Sequence, residues 1–346
     1  MASPPRDPIA DLKRIAFLLE AMQEPGYRVR AFRTAATALA ELGPEELATR
    51  AREGRLREVS GIGDVTERTI LESLRGEEPV YLRRLRSTEG KPLAEGAAEL
   101  RAALKGDLHA HTFASDGHAT IREMAEAAIE LGHQYLVITD HSPRLTIANG
   151  LSTERLMAQL EEIAALNAEL APFRLLTGIE VDINEDGSLD QSPEVLSGLD
   201  VVVGSIHSEL RMPSPQMTRR MVTALANPHL DVLGHCTGRM SRRRRASRPE
   251  STFDPDIVFT AAKRFDKAIE INCLPDRLDP PKRLLRLAVE TGCRISIDSD
   301  AHYTGQLAWI RVGCERGFLC GVTVPMLVNA LPVDELLAWT ASHEAA

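Results

Sequence analysis

The chain has no cysteine pair, no long apolar run and few aromatic residues, which make up 4% of its 346 positions. Its five cysteines, Cys236, Cys273, Cys293, Cys314 and Cys320, are odd in number and form no Cys-x-x-Cys. That excludes a disulfide framework and a structural zinc knuckle, leaving reduced thiols. No run of about 18 apolar residues occurs, and Lys13, Arg14 and Glu20 interrupt the apolar positions of the first segment, so neither a membrane span nor a secretory leader is expected. Basic residues are also in deficit: 41 Lys and Arg face 50 Asp and Glu, a net charge of −9. Such a balance excludes a protein that coats nucleic acid or an anionic membrane by charge alone. A cytoplasmic, soluble protein with no membrane partner is expected.

What is present falls into two textures. Residues 9–85 carry apolar positions at helical spacing in "DLKRIAFLLEAM" and "YRVRAFRTAATALAEL", and "LREVSGIGDVTERTILESL" encloses a Gly-x-Gly turn. This predicts a small all-α domain. Residues 86–104, with Gly90, Pro92 and Gly96 and few bulky apolar groups, read as a linker. Over residues 105–346, seven β-rich runs alternate with helical segments: "GDLHAH", "YLVITDH", "LLTGIEVDI", "DVVVGSIHS", "DVLGH", "AIEINC" and "RISIDSDAH". Seven βα units in succession predict an α/β fold closed as a barrel.

Histidines cluster at the ends of these runs. Side chains two apart on a strand share a side, so His109 and His111 converge, as do Asp300 and His302. His141, His207 and His235 each close another run, and Glu180 lies in "GIEV". The C-terminal strand ends of an α/β barrel form one mouth, where residues far apart in sequence meet. Singly, each histidine reads as an ordinary polar residue; six of ten at such ends point to a metal site. His118, His133, His229 and His343 lie elsewhere and are not assigned to metal, whereas Asp107, beside the first histidine pair, is expected to support a neighbouring imidazole. Imidazoles mixed with carboxylates suit Zn²⁺, Mn²⁺ or Fe²⁺, and nine candidate ligands exceed what one ion holds.

These residues resemble the PHP family, the polymerase and histidinol phosphatase domain, whose motifs are read in "HAH" with "SDG", "TDH", "GIEVDI" with "SIH", and "SDAH". Within it, the similarity is greatest to the C-terminal domain of bacterial family X DNA polymerases. The resemblance implies a distorted seven-stranded βα barrel holding up to three divalent metals. One would be bound by His109, His111, Glu180 and Asp300, and a second by Glu180, His207 and His235. The third would be bound by Asp116, His141 and His302. Glu180 is then the bridging ligand, and with His109 and His111 the catalytic core. Residues 9–85 resemble the helix-hairpin-helix domain of the same polymerases, with Gly61, Ile62, Gly63, Arg28, Arg30 and Arg33 as DNA-contact candidates. The polymerase palm is absent between the two parts, and Thr69 stands at the position of the lyase lysine, so neither polymerase nor amine-based lyase activity is implied.

Residues 211–248 are strongly basic and begin their arginine run just after His235. A basic rim beside metals would attract phosphate, and Arg239, Arg242, Arg243 and Arg277 are the candidates to clamp it. The expected reaction is hydrolysis of a phosphate ester by a metal-activated water. A DNA end, attacked by a 3′-5′ exonuclease or 3′-phosphatase, is the leading substrate, and a small phosphomonoester of the histidinol-phosphate type the alternative. DNA affinity is expected to be weak, since residues 1–105 hold 18 basic and 17 acidic groups. An amidohydrolase is disfavoured because "SDAH" supplies Asp and His together and no bridging lysine is evident. A purely structural barrel is disfavoured by the cost of burying so many ionisable groups.

Overall fold

Seven strands form in the seven β-rich runs: β1 (Gly106–Asp107), β2 (Tyr135–Ile138), β3 (Arg174–Asp182), β4 (Val201–Ser205), β5 (Val232–Leu233), β6 (Ala268–Asn272) and β7 (Arg294–Asp298). They are seen in a computed structural model that describes residues 6–88, 93–240 and 247–343. All adjacent pairs are parallel and in chain order. Each parallel crossover needs a long connection, which the sequence supplies as helices such as Ile121–Glu130, Thr153–Leu170 and Ser214–Leu225. The Ile121–Glu130 helix shows how such an element starts: Thr120 caps it in a reciprocal box with Glu123.

Alternation along the strands sorts two layers. Tyr135, Val137, Leu176, Val201, Val203, Val232 and Ala268 share one inward parity and form a single buried cluster, with Leu336 and Trp339 of the C-terminal helix packed in it. The outward residues, among them Ile179, Val202, Leu233, Ile269 and Ile295, join the helices in a larger core. Inward parity also carries Glu180 and Asp182 on β3 and Glu270 on β6, so buried carboxylates stand on the inner side beyond the apolar layer, toward the C-terminal strand ends.

The sheet is nearly closed, and its seam is held by a side chain. Asn329 donates its amide to Gly106 O (3.2 Å) and Ile297 O (2.8 Å), and accepts from the Ile297 N–H (3.3 Å). Farther along, Ala110 pairs with Ala301 in an isolated parallel bridge. Between them, the Leu108 N–H donates to the Asp298 carboxylate (2.9 Å).

The chain forms two compact units, Met1–Pro92 and Leu93–Ala346. The first contains helices Pro8–Ala21, Gly26–Leu42, Pro44–Glu53, Asp64–Leu74 and Val80–Thr88, which bury Leu12, Ile15, Leu19, Phe32, Leu39 and Ile70. Residues 86–104, expected as a linker, are largely helical. The Val80–Thr88 helix enters that span, and a second helix, Glu95–Ala103, belongs to the barrel unit, where Ala97, Leu100 and Leu104 are buried. Small alanines make that apolar face easy to misread as linker. Gly90 and Pro92 lie outside the described residues. Among those residues, no helix is long and apolar enough to cross a membrane.

Candidate metal centre

The first two histidines lie just beyond the two-residue β1, so the strand proper ends before them. Extended pairing nevertheless continues on both sides. The Ala110 N–H donates to Thr139 Oγ1 (3.0 Å) and the His111 N–H to Ala301 O (2.8 Å). The rings of His109 and His111 therefore still converge, with centroids 5.1 Å apart. The loop that follows is fixed by Asp140, which accepts from the Thr112 N–H (2.8 Å), the Thr112 hydroxyl (2.6 Å) and Gln159 Nε2 (2.6 Å). Gly117 is required there: a Cβ would lie 2.6 Å from the His111 carbonyl carbon and the Thr112 nitrogen. This close turn brings Asp116 back over His111.

All nine predicted residues meet at the mouth. His109 Nε2 and His111 Nε2 lie 3.4 and 3.5 Å from Glu180 Oε2, and 3.9 and 3.4 Å from Asp300 Oδ1. On the other Glu180 oxygen, His235 Nε2 stands at 2.8 Å and His207 Nε2 at 3.4 Å. Asp116 Oδ1 lies 3.4 Å from both His141 Nε2 and His302 Nε2. The structure adds links the sequence reading did not assign: His141 Nδ1 is 2.9 Å from Glu180 Oε2, and His111 Nδ1 is 3.9 Å from Asp116. Three ion-sized groups result: His109, His111 and Asp300; His141, Glu180 and His207; and His111, Asp116, His141 and His302.

Three of the rings are oriented by a partner on Nδ1. His109 Nδ1–H donates to Glu270 Oε1 (2.6 Å), His207 Nδ1–H to Asp182 Oδ1 (2.5 Å) and His302 Nδ1–H to Asp300 O (2.9 Å). A proton held on Nδ1 leaves the Nε2 lone pair for the centre, the arrangement that suits metal ligation. Glu270 was missed from sequence, although a glutamate between Ile269 and Ile271 in a wholly buried strand is a signal. It also accepts the His235 N–H (2.5 Å) and Asn272 Nδ2 (3.2 Å). Asp107, expected to support an imidazole, instead accepts the backbone N–H groups of His109 and Ser299, each at 3.2 Å. Its short side chain points to the seam.

The electrostatics call for positive charge. Burial opposes ionisation of Glu180, Asp300 and Asp116, yet the surrounding imidazoles hold Glu180 and Asp300 well below the usual carboxylate range and lower Asp116. Burial also opposes a charge on His109 and His141, but the facing carboxylates outweigh it, raising His109 well above its ordinary value and His141 to about 10. His111 and His235 go the other way, to about 4, through burial and then neighbouring cations, His302 and His141 for the first and Arg277 for the second.

Six ring nitrogens of the candidate ligands, including His109 Nε2, His111 Nε2 and His207 Nε2, are buried without a hydrogen-bond partner. Their recurrent 3.4 Å spacing from the carboxylate oxygens matches the roughly 3.4 Å between ligands bound tetrahedrally at about 2.1 Å. The residues fit divalent cations.

Of the phosphate candidates, Arg277 reaches this cluster. Its Nε is 3.3 Å from Asp300 Oδ2, not on Asp276 or Asp279, and its side chain is largely buried. Arg239 is instead paired with Glu250 (3.3 Å), and Arg242 and Arg243 lie outside the described residues. Arg220, counted within the basic stretch, is buried and holds Ile183 O and Ser208 O, which fixes the loops carrying Asp182 and His207.

Residues 107–273 match the PHP domain family, and residues 3–78 match a helix-hairpin-helix domain. A protein of Caldanaerobacter subterraneus named "Probable phosphatase" is 31% identical over 220 residues, covering 60% of this chain and 79% of that one. The chain belongs to the PHP family. "DNA polymerase/3′-5′ exonuclease PolX" of Bacillus subtilis is 45% identical over 241 residues, covering 70% of this chain. This PHP chain spans only 42% of that relative's length. A solved histidinol phosphate phosphatase of Lactococcus lactis, in complex with zinc, L-histidinol and phosphate, aligns with TM-score 0.47 and 17% identity over 63% of this chain and 94% of its own.

The hairpin that accompanies the PHP barrel is formed as expected, with one correction. Gly61 has φ +92°, and a Cβ there would meet Thr34 Cγ2 at 2.5 Å, so glycine is needed twice over. Ile62 is buried beneath the turn. The Gly63 N–H, however, already donates to Thr66 Oγ1 (2.9 Å), and Asp64 and Glu67 occupy the first turn of the following helix. The hairpin thus offers an anion fewer amides than its glycines imply. Arg28 is paired with Glu24 (2.8 Å) and Arg33 with Glu20, while Arg30 is exposed. Thr69 is buried and donates to Val65 O (3.0 Å).

Proposed function

We propose that this chain is a metal-dependent phosphoesterase acting on nucleic-acid ends, as a 3′-5′ exonuclease or 3′-phosphatase. The observation that carries the reading is the convergence of six histidines with Asp116, Glu180 and Asp300 at one mouth, with the Arg277 guanidinium beside them. His109, His111 and Asp300 with Glu180 would hold one ion, Glu180 with His207 and His235 a second, and Asp116, His141 and His302 a third. Zn²⁺, Mn²⁺ or Fe²⁺ suits this mixture of nitrogen and oxygen donors. Such cations, when bound, supply Lewis-acid polarisation of the phosphoryl group and activation of water.

The chain's own groups complete the site. Glu270 and Asp182 keep the Nδ1 protons of His109 and His207 in place, so the rings need no reorganisation. Arg277 Nη1 is buried without a hydrogen-bond partner and would donate to a phosphate oxygen, balancing negative charge that develops on the phosphoryl oxygens. A nucleic-acid substrate is favoured by the helix-hairpin-helix match and by the similarity to PolX. A small phosphomonoester is the second reading, favoured by the well-covered relatives named as phosphatases and by the internally paired Arg28 and Arg33.

A substrate panel separates them: single-stranded DNA, 3′-phosphorylated DNA and small phosphomonoesters, each with Mn²⁺, with Zn²⁺ and with chelator. Metal-dependent shortening or 3′-dephosphorylation of DNA is expected. Turnover of small phosphomonoesters alone would replace the first reading by the second.

A further inference from the structure

We infer that the loops after β1 and β2 form a stacking shelf for the terminal base of a single-stranded nucleic acid. The inference rests on the nucleic-acid reading above and names how that substrate is gripped. Aromatic residues are scarce in this chain, and most in the barrel unit are buried in its core or packed against it. Phe113, two residues from His111, is instead 59% exposed. Its backbone N–H donates to Ala119 O (2.9 Å), closing the loop that carries Asp116, so this exposed apolar residue belongs to the same closed loop as a candidate ligand.

Two further groups lie on the same loop or on one tied to it. The exposed His118 ring stacks on Tyr303 with centroids 4.3 Å apart and planes 25° apart, and the His118 N–H donates to His302 O (2.7 Å), tying the pair to a candidate ligand. Ile147, in the loop after β2, is 94% exposed. That loop is fastened to the first one, because Asn149 Nδ2 donates to Ala114 O (3.2 Å) and Arg155 also donates there.

An exposed phenylalanine and isoleucine on two tethered loops cost solvation in the free protein, and the loops that carry them follow directly on the candidate ligands His111 and His141. A base joined to a phosphate held by those ligands presents a π-face to such side chains, and stacking is tolerant of base identity, as an end-processing enzyme requires. Ordinary phosphomonoesters without a ring gain nothing from it.

The test compares kcat/KM of the full chain on two oligonucleotides differing only in the 3′-terminal unit, one bearing a base and one an abasic tetrahydrofuran. The wild type should prefer the base by about 5- to 100-fold, read mainly in KM. Phe113→Ala and Ile147→Ala should shrink that ratio toward one, while Phe113→Trp restores it; circular dichroism and metal content identify any variant that has lost its fold or ions. A ratio unchanged in both alanine variants overturns the shelf while leaving the nucleic-acid reading intact. A change of mass in light scattering of Phe113→Ala, with the ratio unmoved, assigns the surface to a second copy and also overturns it. Absence of any turnover of DNA by the wild type overturns the reading itself, and the shelf with it.

Discussion

Replacing Glu270 by glutamine should weaken metal binding without unfolding the barrel. The Glu270 carboxylate accepts three donors: His109 Nδ1 at 2.6 Å on one oxygen, and the His235 N–H at 2.5 Å with Asn272 Nδ2 at 3.2 Å on the other. A glutamine retains one acceptor oxygen. If its carbonyl faces the His235 N–H, its NH₂ faces His109 Nδ1 and forces the ring proton to Nε2, removing the lone pair that points at Glu180 and Asp300. If it is flipped, the NH₂ opposes the His235 N–H and leaves a buried donor unpaired. Either outcome costs about 1–3 kcal/mol. Partners that orient a ligating imidazole typically carry about 10- to 100-fold in metal affinity or activity, which spans the same range. Competition with a chromogenic chelator, on Zn²⁺ and Mn²⁺, should therefore give affinities lower by that factor. Urea unfolding of the metal-free protein should show a smaller change, because Gln retains most of the packing volume. Wild-type metal affinity in Glu270→Gln, within twofold, would refute the assigned role.

Three further outcomes follow from the same geometry. The His109→Ala/His111→Ala double variant should lose phosphoester hydrolysis while keeping its circular dichroism; undiminished turnover in a metal-analysed preparation would remove these rings from the centre. Gly117→Ala should cost about 1–3 kcal/mol in urea unfolding and over tenfold in kcat, because the new Cβ meets backbone at 2.6 Å and must push the Asp116 loop outward. A fully active variant would show that Asp116 need not sit where the turn holds it. Asn329→Ala should lower the unfolding free energy by about 2–4 kcal/mol, since four seam hydrogen bonds are lost and buried backbone groups of Gly106 and Ile297 lose their partners. An unchanged denaturation midpoint would mean that water or neighbouring strands close the seam equally well.

The seven strands were legible because each is a buried run terminated by a polar group, so the histidines punctuated the sequence where turns alone would have been ambiguous. The convergence at the mouth followed from barrel geometry, which needs only strand order and the common direction of the strands. What escaped depended on side-chain direction across long sequence separation. Asp107 and Glu270 are both buried acids near His109, and adjacency favoured Asp107. Structure assigns the imidazole to Glu270, 161 positions away, because β6 presents it inward. Asn329 was silent for the same reason: its role exists only where the first and last strands meet. Arg220 illustrates the converse, since a charge run predicts solvent exposure, yet this member is buried and satisfied by two carbonyl oxygens.

The pattern separates two kinds of site residue. Candidate ligands were visible because their chemistry is restrictive and their positions recur at strand ends. The groups that orient them are ordinary polar residues whose function lies in one hydrogen bond, and no composition or period records that bond. Variation at Glu270, Asp182 and Asn272 should thus reveal more about how this centre is tuned than further substitution of the nine residues that meet there.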